Sequence, residues 1–324
     1  MKKTLIFTYG GGRFSNQLIN YAHLIAFSEE YSDDYEIINF AFLPYLNLLE
    51  NHNQLVSAES NKTILSSLVT IDKVLNKLPK KISGLSRLSI AQMLCSYGYF
   101  SRNSQTLCFG RGFPCISNLQ LDKLQLDLDQ CVNLLGSKET SFLFGWGIEA
   151  WSLLKKHKRV VQKQLSIKLA YQDISKSHIK VVRNKCDFLV GVLIRQGDYQ
   201  YFSNGRFFYR TQKYLEWMKE VEIIFSSHGK IGFLIASDEI QDAQLFDAQR
   251  AFFSTGIAGG KGHYVESMLQ LSMCDLIICP PSTFGLWSSF IGDVPIILLT
   301  HENQKIDTED IISDNLISLQ NVPC

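Results

Sequence analysis

Four short segments carry the residues of this chain that are equipped for chemistry, and each follows an apolar run. Gly10-Gly11-Gly12-Arg13-Phe14-Ser15-Asn16-Gln17 comes after Thr4 to Thr8, and Arg195-Gln196-Gly197-Asp198-Tyr199 after Phe188 to Ile194. Ser237-Asp238-Glu239 comes after Ile231 to Ala236, and Pro280-Pro281-Ser282-Thr283-Phe284-Gly285 after Leu276 to Cys279. Glycines let a ligand approach the backbone closely, and a helix starting beyond them offers N–H groups and the positive end of its dipole. An arginine can hold a diphosphate through paired, charge-assisted hydrogen bonds. An aspartate can accept from a ribose hydroxyl or a base N–H, and two hydroxyls at a helix start suit a phosphate. Every segment also has a plainer reading: a turn for the glycines, a surface pair for Arg195 and Asp198, and helix N-caps for Asp238 and for Ser282-Thr283. The glycine loop is neither G-x-G-x-x-G, because Ser15 stands where the third glycine belongs, nor a P-loop, because no Gly-Lys-Ser/Thr follows. Jointly the four segments suit a nucleotide diphosphate better than any one of them does alone.

The elements that must position these residues are legible as alternating strands and helices. Thr4 to Thr8 predicts a strand, and Phe14, Leu18, Ala22 and Ile25 recur at helical spacing after it. In the second half the almost continuous apolar run at 188–194 predicts a strand buried on both faces of a parallel sheet. A helix from about Thr211 to Phe225, a strand at 231–236 and a helix from Ile240 to Phe253 follow. Then come a helix at Tyr264 to Met273, a strand at 276–279, a helix at 284–291 and a strand at 294–299. Such alternation means βαβ units, and 324 residues at about 150 per domain means two of them. The expected domains are 1–170 and 171–324, two Rossmann-type α/β domains facing a cleft, with ligands at the carboxyl ends of the strands. Leu119 to Leu135 reads equally well as helix or strand.

Composition narrows the partners. Lys plus Arg is 32 and Asp plus Glu is 31, a net charge of +1, which argues against a protein held by bulk charge to nucleic acid or to an acidic membrane. A hydrophobic fraction of 46% with 19% charged residues excludes a disordered chain. The eight cysteines show no Cys-x-x-Cys pair and are expected as reduced cytosolic thiols. The apolar start is too short for a signal core, and Leu276 to Gly292 is too short and too proline-broken to span a bilayer. These readings place the protein in the cytoplasm. A basic stretch from Lys77 to Arg87 reads as a solvated turn, or as a peripheral contact at the inner face of a membrane. The sequon Asn61-Lys62-Thr63 reads as chance, Asp127-Leu128-Asp129 as a solvated face, and His23 as structural. The seven histidines form no His-x-x-x-His pair, so no metal site is expected. The loop from Gly256 to Gly262 reads as a mobile gate over the ligand site.

At these same residues the sequence resembles the fucosyltransferase superfamily. Gly12-Arg13-Phe14-Ser15-Asn16-Gln17-Leu18 with Tyr21-Ala22 resembles the opening motif of bacterial α-1,2-fucosyltransferases (glycosyltransferase family 11), and is similar to the Gly-Arg-Phe-Gly-Asn-Gln opening of the protein O-fucosyltransferases. Val192 to Tyr199 resembles the α-1,2 family's His-x-Arg-Arg-Gly-Asp-Tyr, Ser237-Asp238-Glu239 its Ser-Asp-Asp/Glu, and Ser282 to Trp287 its Ser-Ser-Phe-Ser-Trp-Trp. The chain departs from the pattern at Leu193 for histidine, Gln196 for the second arginine, Gly285 for serine and Ser288 for the second tryptophan. The resemblance runs from residue 10 to about 292 and implies a GT-B-like fold that moves fucose from GDP-fucose to a galactose-containing glycan, with inversion and without a metal or other cofactor. It implies donor contacts from Gly11, Gly12, Arg13, Arg195, Asp238, Ser282, Thr283 and Phe284, and catalytic roles for Arg195, Asn16 and Asp198. Arg195 and helix N-terminal amides would stabilise the departing β-phosphate in place of a cation. An Asp paired to an arginine is a weak general base, which leaves Asp198 a poor candidate for that role. The alternatives are a related enzyme using another nucleotide sugar or a protein acceptor, and a catalytically inactive nucleotide- or glycan-binding module.

Overall fold

The computed structural model describes residues 2–50, 70–75, 77–110 and 115–316. The sequon at 61–63 therefore lies outside the described residues. The chain divides into two compact units, Met1–Ser166 and Ile167–Cys324.

Unit 1 opens with β1 (Lys3–Tyr9), α1 (Phe14–Glu30) and β2 (Tyr35–Asn39). A helical segment at 70–75 precedes α2 (Lys80–Phe100). Strands β3 (Ser104–Phe109), β4 (Leu119–Leu121) and β5 (Leu124–Gln125) follow, then α3 (Asp129–Leu135), β6 (Thr140–Gly145) and β7 (Ile148–Glu149). Two short helices, α4 (Trp151–Lys156) and α5 (Lys158–Gln164), end the unit. The main sheet is parallel in the order β2-β1-β6-β3-β4, while β5 and β7 form a separate parallel pair. Leu119 to Leu135 thus holds two short strands and a helix. Its leucines serve three elements, so no single period describes them. The basic stretch from Lys77 to Arg87, read as a solvated turn, is mostly helix, because α2 begins at Lys80.

The first strand is buried along Thr4–Thr8, and α1 is buried from Phe14 to Phe27 apart from Asn16. That is why α1 reads as apolar nearly all round. Its polar positions are individually placed: His23 Nδ1 accepts from the Ala150 N–H at 3.1 Å, with the Trp151 ring edge-on at 4.4 Å. Asp127 accepts from the Ser152 N–H and hydroxyl at the start of α4.

Unit 2 contains α6 (Leu169–Arg183), β8 (Phe188–Ile194), α7 (Thr211–Ile224), β9 (Ile231–Ser237) and β10 (Ala251–Phe253). Then come α8 (Tyr264–Leu271), β11 (Leu276–Cys279), α9 (Thr283–Gly292) and β12 (Ile296–Leu298). Its parallel sheet runs β10-β9-β8-β11-β12. Both faces are covered. Val190, Val192 and Ile194 pack with Tyr214, Trp217 and Met218 of α7, and Leu189 and Leu234 pack with Ile179 and Val182 of α6. Gly191 lets α8 close on the sheet, since a Cβ there would lie 2.7 Å from Leu271 Cδ2. The helix expected over 240–253 is absent: a 3-10 turn at Ala243–Phe246, capped by Asp242, leads into β10. The residues Ala251-Phe252-Phe253 pair in parallel with β9 at the sheet edge, so the stretch ends in a strand instead.

The cysteine expectation fails at one pair. Cys108 and Cys115, seven residues apart, are joined as a disulfide, while Cys95, Cys131, Cys186, Cys274 and Cys279 are buried free thiols. Cys108 lies in β3 and Cys115 just before β4, a proximity that spacing alone does not reveal.

Candidate functional site

In unit 2 the strand order 3-2-1-4-5 puts a topological switch point between its first and fourth strands, β8 and β11. Beyond the carboxyl ends of those two strands lie the Arg195 loop and the Ser282 loop. They are tied together: Tyr199 donates its hydroxyl to the Pro281 carbonyl at 2.5 Å. Burial pushes the Tyr199 hydroxyl up to about 12, so it remains a donor at neutral pH.

Arg195 lies at the centre. Its Nη2 donates to Asp198 Oδ1 at 2.7 Å, its Nε is 3.2 Å from Asp238 Oδ2, and its guanidinium lies over the Tyr199 ring at 4.8 Å. The side chain is only 15% exposed, so the surface-pair reading fails. Two carboxylates and an aromatic face hold the guanidinium in one orientation, and its buried Nε lies near Asp238 without making a hydrogen bond. An anion that met this group would bind the unused donors or displace Asp198, the more exposed of the two carboxylates.

Asp238 proves to be neither a helix cap nor a loose surface acid. No helix starts after it; instead Oδ1 accepts from the Gln196 N–H at 2.8 Å and the Gly197 N–H at 3.4 Å. Asp238 therefore shapes the backbone that carries Arg195. Gly197 eases that approach, because a Cβ there would lie 3.1 Å from Glu239 Oε1 and 3.2 Å from Asp238 Oδ2. Ser282 caps α9, its Oγ accepting from the Phe284 N–H at 3.3 Å. Thr283 and Phe284 form the first turn of that ten-residue helix, and its positive end opens beside the Arg195 loop.

Three of the four departures from that motif pattern have structural answers. Gln196 is held in an amide network: its Nε2 donates to the Tyr209 carbonyl and to Thr211 Oγ1, and its Oε1 accepts from Gln241 Nε2 at 2.9 Å. Gln241 in turn accepts from Thr211 and donates to Ser237. Leu193 is buried, and a Cβ at Gly285 would lie 3.3 Å from Leu193 Cδ2 and 2.5 Å from Cys279 Sγ. Leucine at 193 and glycine at 285 therefore fit one another.

The remaining expected residues lie in unit 1. Gly11 and Gly12 both have positive φ, at 65° and 69°, a conformation that favours glycine. The Gln17 amide donates to the Gly11 carbonyl, and the Asn16 side chain lies over Gly12, where a Cβ would come within 2.0 Å of its Nδ2. Arg13 is the N-cap residue of α1. A buried polar cluster lies behind this turn, with Gln17 Oε1 and Asn20 Nδ2 unpaired. The structure thus assembles Arg195, Asp198, Asp238 and Ser282-Thr283-Phe284 in unit 2, and Gly11, Gly12, Arg13 and Asn16 in unit 1.

Sequence reasoning assigned no role to Tyr199, Gln241 or Thr211. Tyr199 was signalled by its place after Asp198, but its partner lies 82 residues away in the chain. The loop at 256–262, expected to move, is stitched by Ala258 N–H to Ser237 O, Gly260 N–H to Ile257 O and Gly262 N–H to Thr255 O. His263 caps α8 in a reciprocal box with Glu266. Among the described residues no group of three or more His, Cys, Asp or Glu side chains is arranged to hold a metal ion.

No family model matches this chain, and no curated protein matches its sequence. Among solved structures it is similar to a variant of Arabidopsis thaliana FUT1 in complex with GDP, at 12% identity and a TM-score of 0.54, covering 96% of this chain and 74% of that one. POFUT1 in complex with GDP matches at 13% identity and a TM-score of 0.47, over 90% of this chain and 95% of that one. Fucosyltransferase NodZ from Bradyrhizobium matches at 11% identity and a TM-score of 0.47, over 94% and 97%. The FUT1 match defines the class of fold: this is an α/β protein of the GT-B kind, with two Rossmann-like domains.

Proposed function

We propose that this protein is an inverting glycosyltransferase that moves fucose from GDP-fucose to a galactose-containing glycan, without a metal. The observation that carries the reading is Arg195, held by Asp198, Asp238 and Tyr199 at the switch point of a Rossmann-like sheet, beside the N-terminus of α9. The acceptor hydroxyl attacks the anomeric carbon from the face opposite GDP. The C–O bond to the β-phosphate breaks, its electron pair stays on the phosphate oxygen, and the acceptor's hydroxyl proton passes to that phosphate or to solvent. Arg195 and the first turn of α9 meet that growing negative charge with fixed donors, in the role a divalent cation plays elsewhere. Asp238 and the Ser282-Thr283-Phe284 turn serve the nucleotide, while Gly11, Gly12, Arg13 and Asn16 serve the sugar and acceptor. Asp198, paired to Arg195, orients the guanidinium and is a weak base.

A second reading, nucleotide binding without transfer, draws on Gln196, whose amide is engaged by Tyr209, Thr211 and Gln241 where the family has a second arginine. Calorimetry with GDP, GDP-fucose, GDP-mannose and UDP-galactose, followed by mass spectrometry of GDP-fucose hydrolysis, separates the readings. Tight binding of GDP and GDP-fucose with slow, chelator-resistant hydrolysis is expected. Preference for UDP, or a strict Mn²⁺ requirement, overturns the assignment. Binding with no turnover favours the second reading.

A further inference from the structure

The two faces of α2 differ in what covers them. Ala91, Cys95 and Gly98 are buried toward the sheet, where Thr106 Oγ1 donates to the Cys95 carbonyl at 2.6 Å and a Cβ at Gly98 would lie 2.3 Å from the Phe142 ring. On the other side Ile82, Leu85, Ser89, Met93, Tyr97 and Phe100 recur three and four residues apart and form one stripe along the helix. All six are exposed, Met93 by 71% and Phe100 by 77%. Single exposed hydrophobes are ordinary, whereas five large ones aligned on one helix mark an interaction face.

Charge identifies what that face meets. No acidic residue occurs between Asp72 and Asp122, yet Lys73, Lys77, Lys80, Lys81, Arg87, Arg102 and Arg111 all fall there. Asp72 itself is ion-paired with Arg87. In a chain with a net charge of only +1, this concentrates positive charge in the one stretch of sequence that contains α2. Lys73 and Lys77, just before α2, and Arg102, just after it, are exposed near the two ends of the stripe. A second copy packed on this face would bring two basic sets together, whereas an anionic bilayer supplies both opposite charge and an apolar layer. Among the described residues no helix is long and apolar enough to cross a membrane, so α2 would lie along the surface.

We propose that α2 docks this protein on an anionic lipid surface, with Ile82, Leu85, Met93, Tyr97 and Phe100 turned toward the acyl boundary and the flanking lysines and Arg102 at the headgroups. The proposal does not depend on the donor assignment. It is tested by co-sedimenting the full chain with phosphatidylcholine vesicles, with and without phosphatidylglycerol. Binding should be about tenfold tighter or more with phosphatidylglycerol, and should fall steeply as salt is added. The double substitution Met93→Glu/Phe100→Glu lies at exposed sites. It should weaken binding by about tenfold or more while leaving the melting temperature and GDP affinity unchanged. Lys73→Gln/Lys77→Gln should cost roughly tenfold on anionic vesicles. Failure to bind the anionic vesicles, or full retention of binding by the double-glutamate variant, overturns the proposal. A concentration-dependent dimer that this variant abolishes, with no vesicle binding, overturns it too and gives the face to a second copy.

Discussion

Arg195 is the residue proposed to meet the departing diphosphate, and its neighbours hold it in one orientation. Arg195 has five donors on a planar fork, and here it is fixed by Asp198, Asp238 and the Tyr199 ring. Replacing it by alanine should lower the rate of donor cleavage by 10²–10³-fold, or roughly 3–4 kcal/mol, on the precedent of removing one preorganised donor from an oxyanion hole. Arg195→Lys should recover little of this, because an ammonium cannot span two phosphate oxygens in a plane. Steady-state hydrolysis of GDP-fucose reads both variants, and a lysine enzyme of near-normal rate would show that position 195 supplies only a point charge. A second test concerns Gly285, whose missing Cβ leaves room for Cys279 and Leu193. Gly285→Ala should destabilise the protein by about 1–3 kcal/mol through overpacking. Cys279→Ala in the same chain should return part of that loss, since the sulfur is the nearest atom at 2.5 Å. Denaturant melts of the two single variants and the double variant measure the coupling; strict additivity of the two losses would rule the steric account out.

At the scale of elements, α1 and the segment β7–α4 are joined through His23. The imidazole is fully buried, accepts from the Ala150 N–H and faces Trp151. Burial lowers its pKa from 6.5 to about 4. The unfolded chain binds a proton near 6.5 and the folded one near 4, so between these values the unfolded state holds more protons. Stability therefore falls as pH drops through that window, by about 3 kcal/mol in all. Urea melts from pH 7.5 down to 4.5 should show this loss, and His23→Gln should flatten the curve across that range; parallel curves for the two proteins would exclude His23 as the cause. The elements themselves were legible to differing degrees. The strands at 188–194, 231–236 and 276–279 were plain because strands covered on both faces are apolar at every position. The segment 240–253 was misread because its apolar residues at 240, 243 and 246 keep helical spacing, while the edge of the sheet claims 251–253. The unit 2 site was legible wherever it is local to a strand end. Its ties over long sequence distance, Tyr199 to Pro281 and Asp238 to the Gln196 and Gly197 N–H groups, follow from sheet order and left no spacing to read.

For the whole molecule, each unit has its own five-stranded parallel sheet, and the residues proposed to meet the nucleotide diphosphate most directly belong to unit 2. Each unit is of a size that commonly folds as one cooperative body. Scanning calorimetry should accordingly resolve two transitions. A ligand that binds only the folded form of one unit stabilises that unit by mass action, about 2.7 kcal/mol at a hundred times its Kd. For a unit of this size that is an upward shift of roughly 5–10 °C. GDP carries the diphosphate but no sugar, so it should raise the transition of unit 2 and leave that of unit 1 in place. Arg195→Ala should abolish the shift while keeping both transitions. Limited proteolysis with mass spectrometry after partial heating identifies which unit melts at each step. If GDP moved the unit 1 transition as far as that of unit 2, the nucleotide would be held as strongly by Gly11, Gly12 and Arg13 as by Arg195. The division of labour between the glycine turn and the arginine loop would then have to be redrawn.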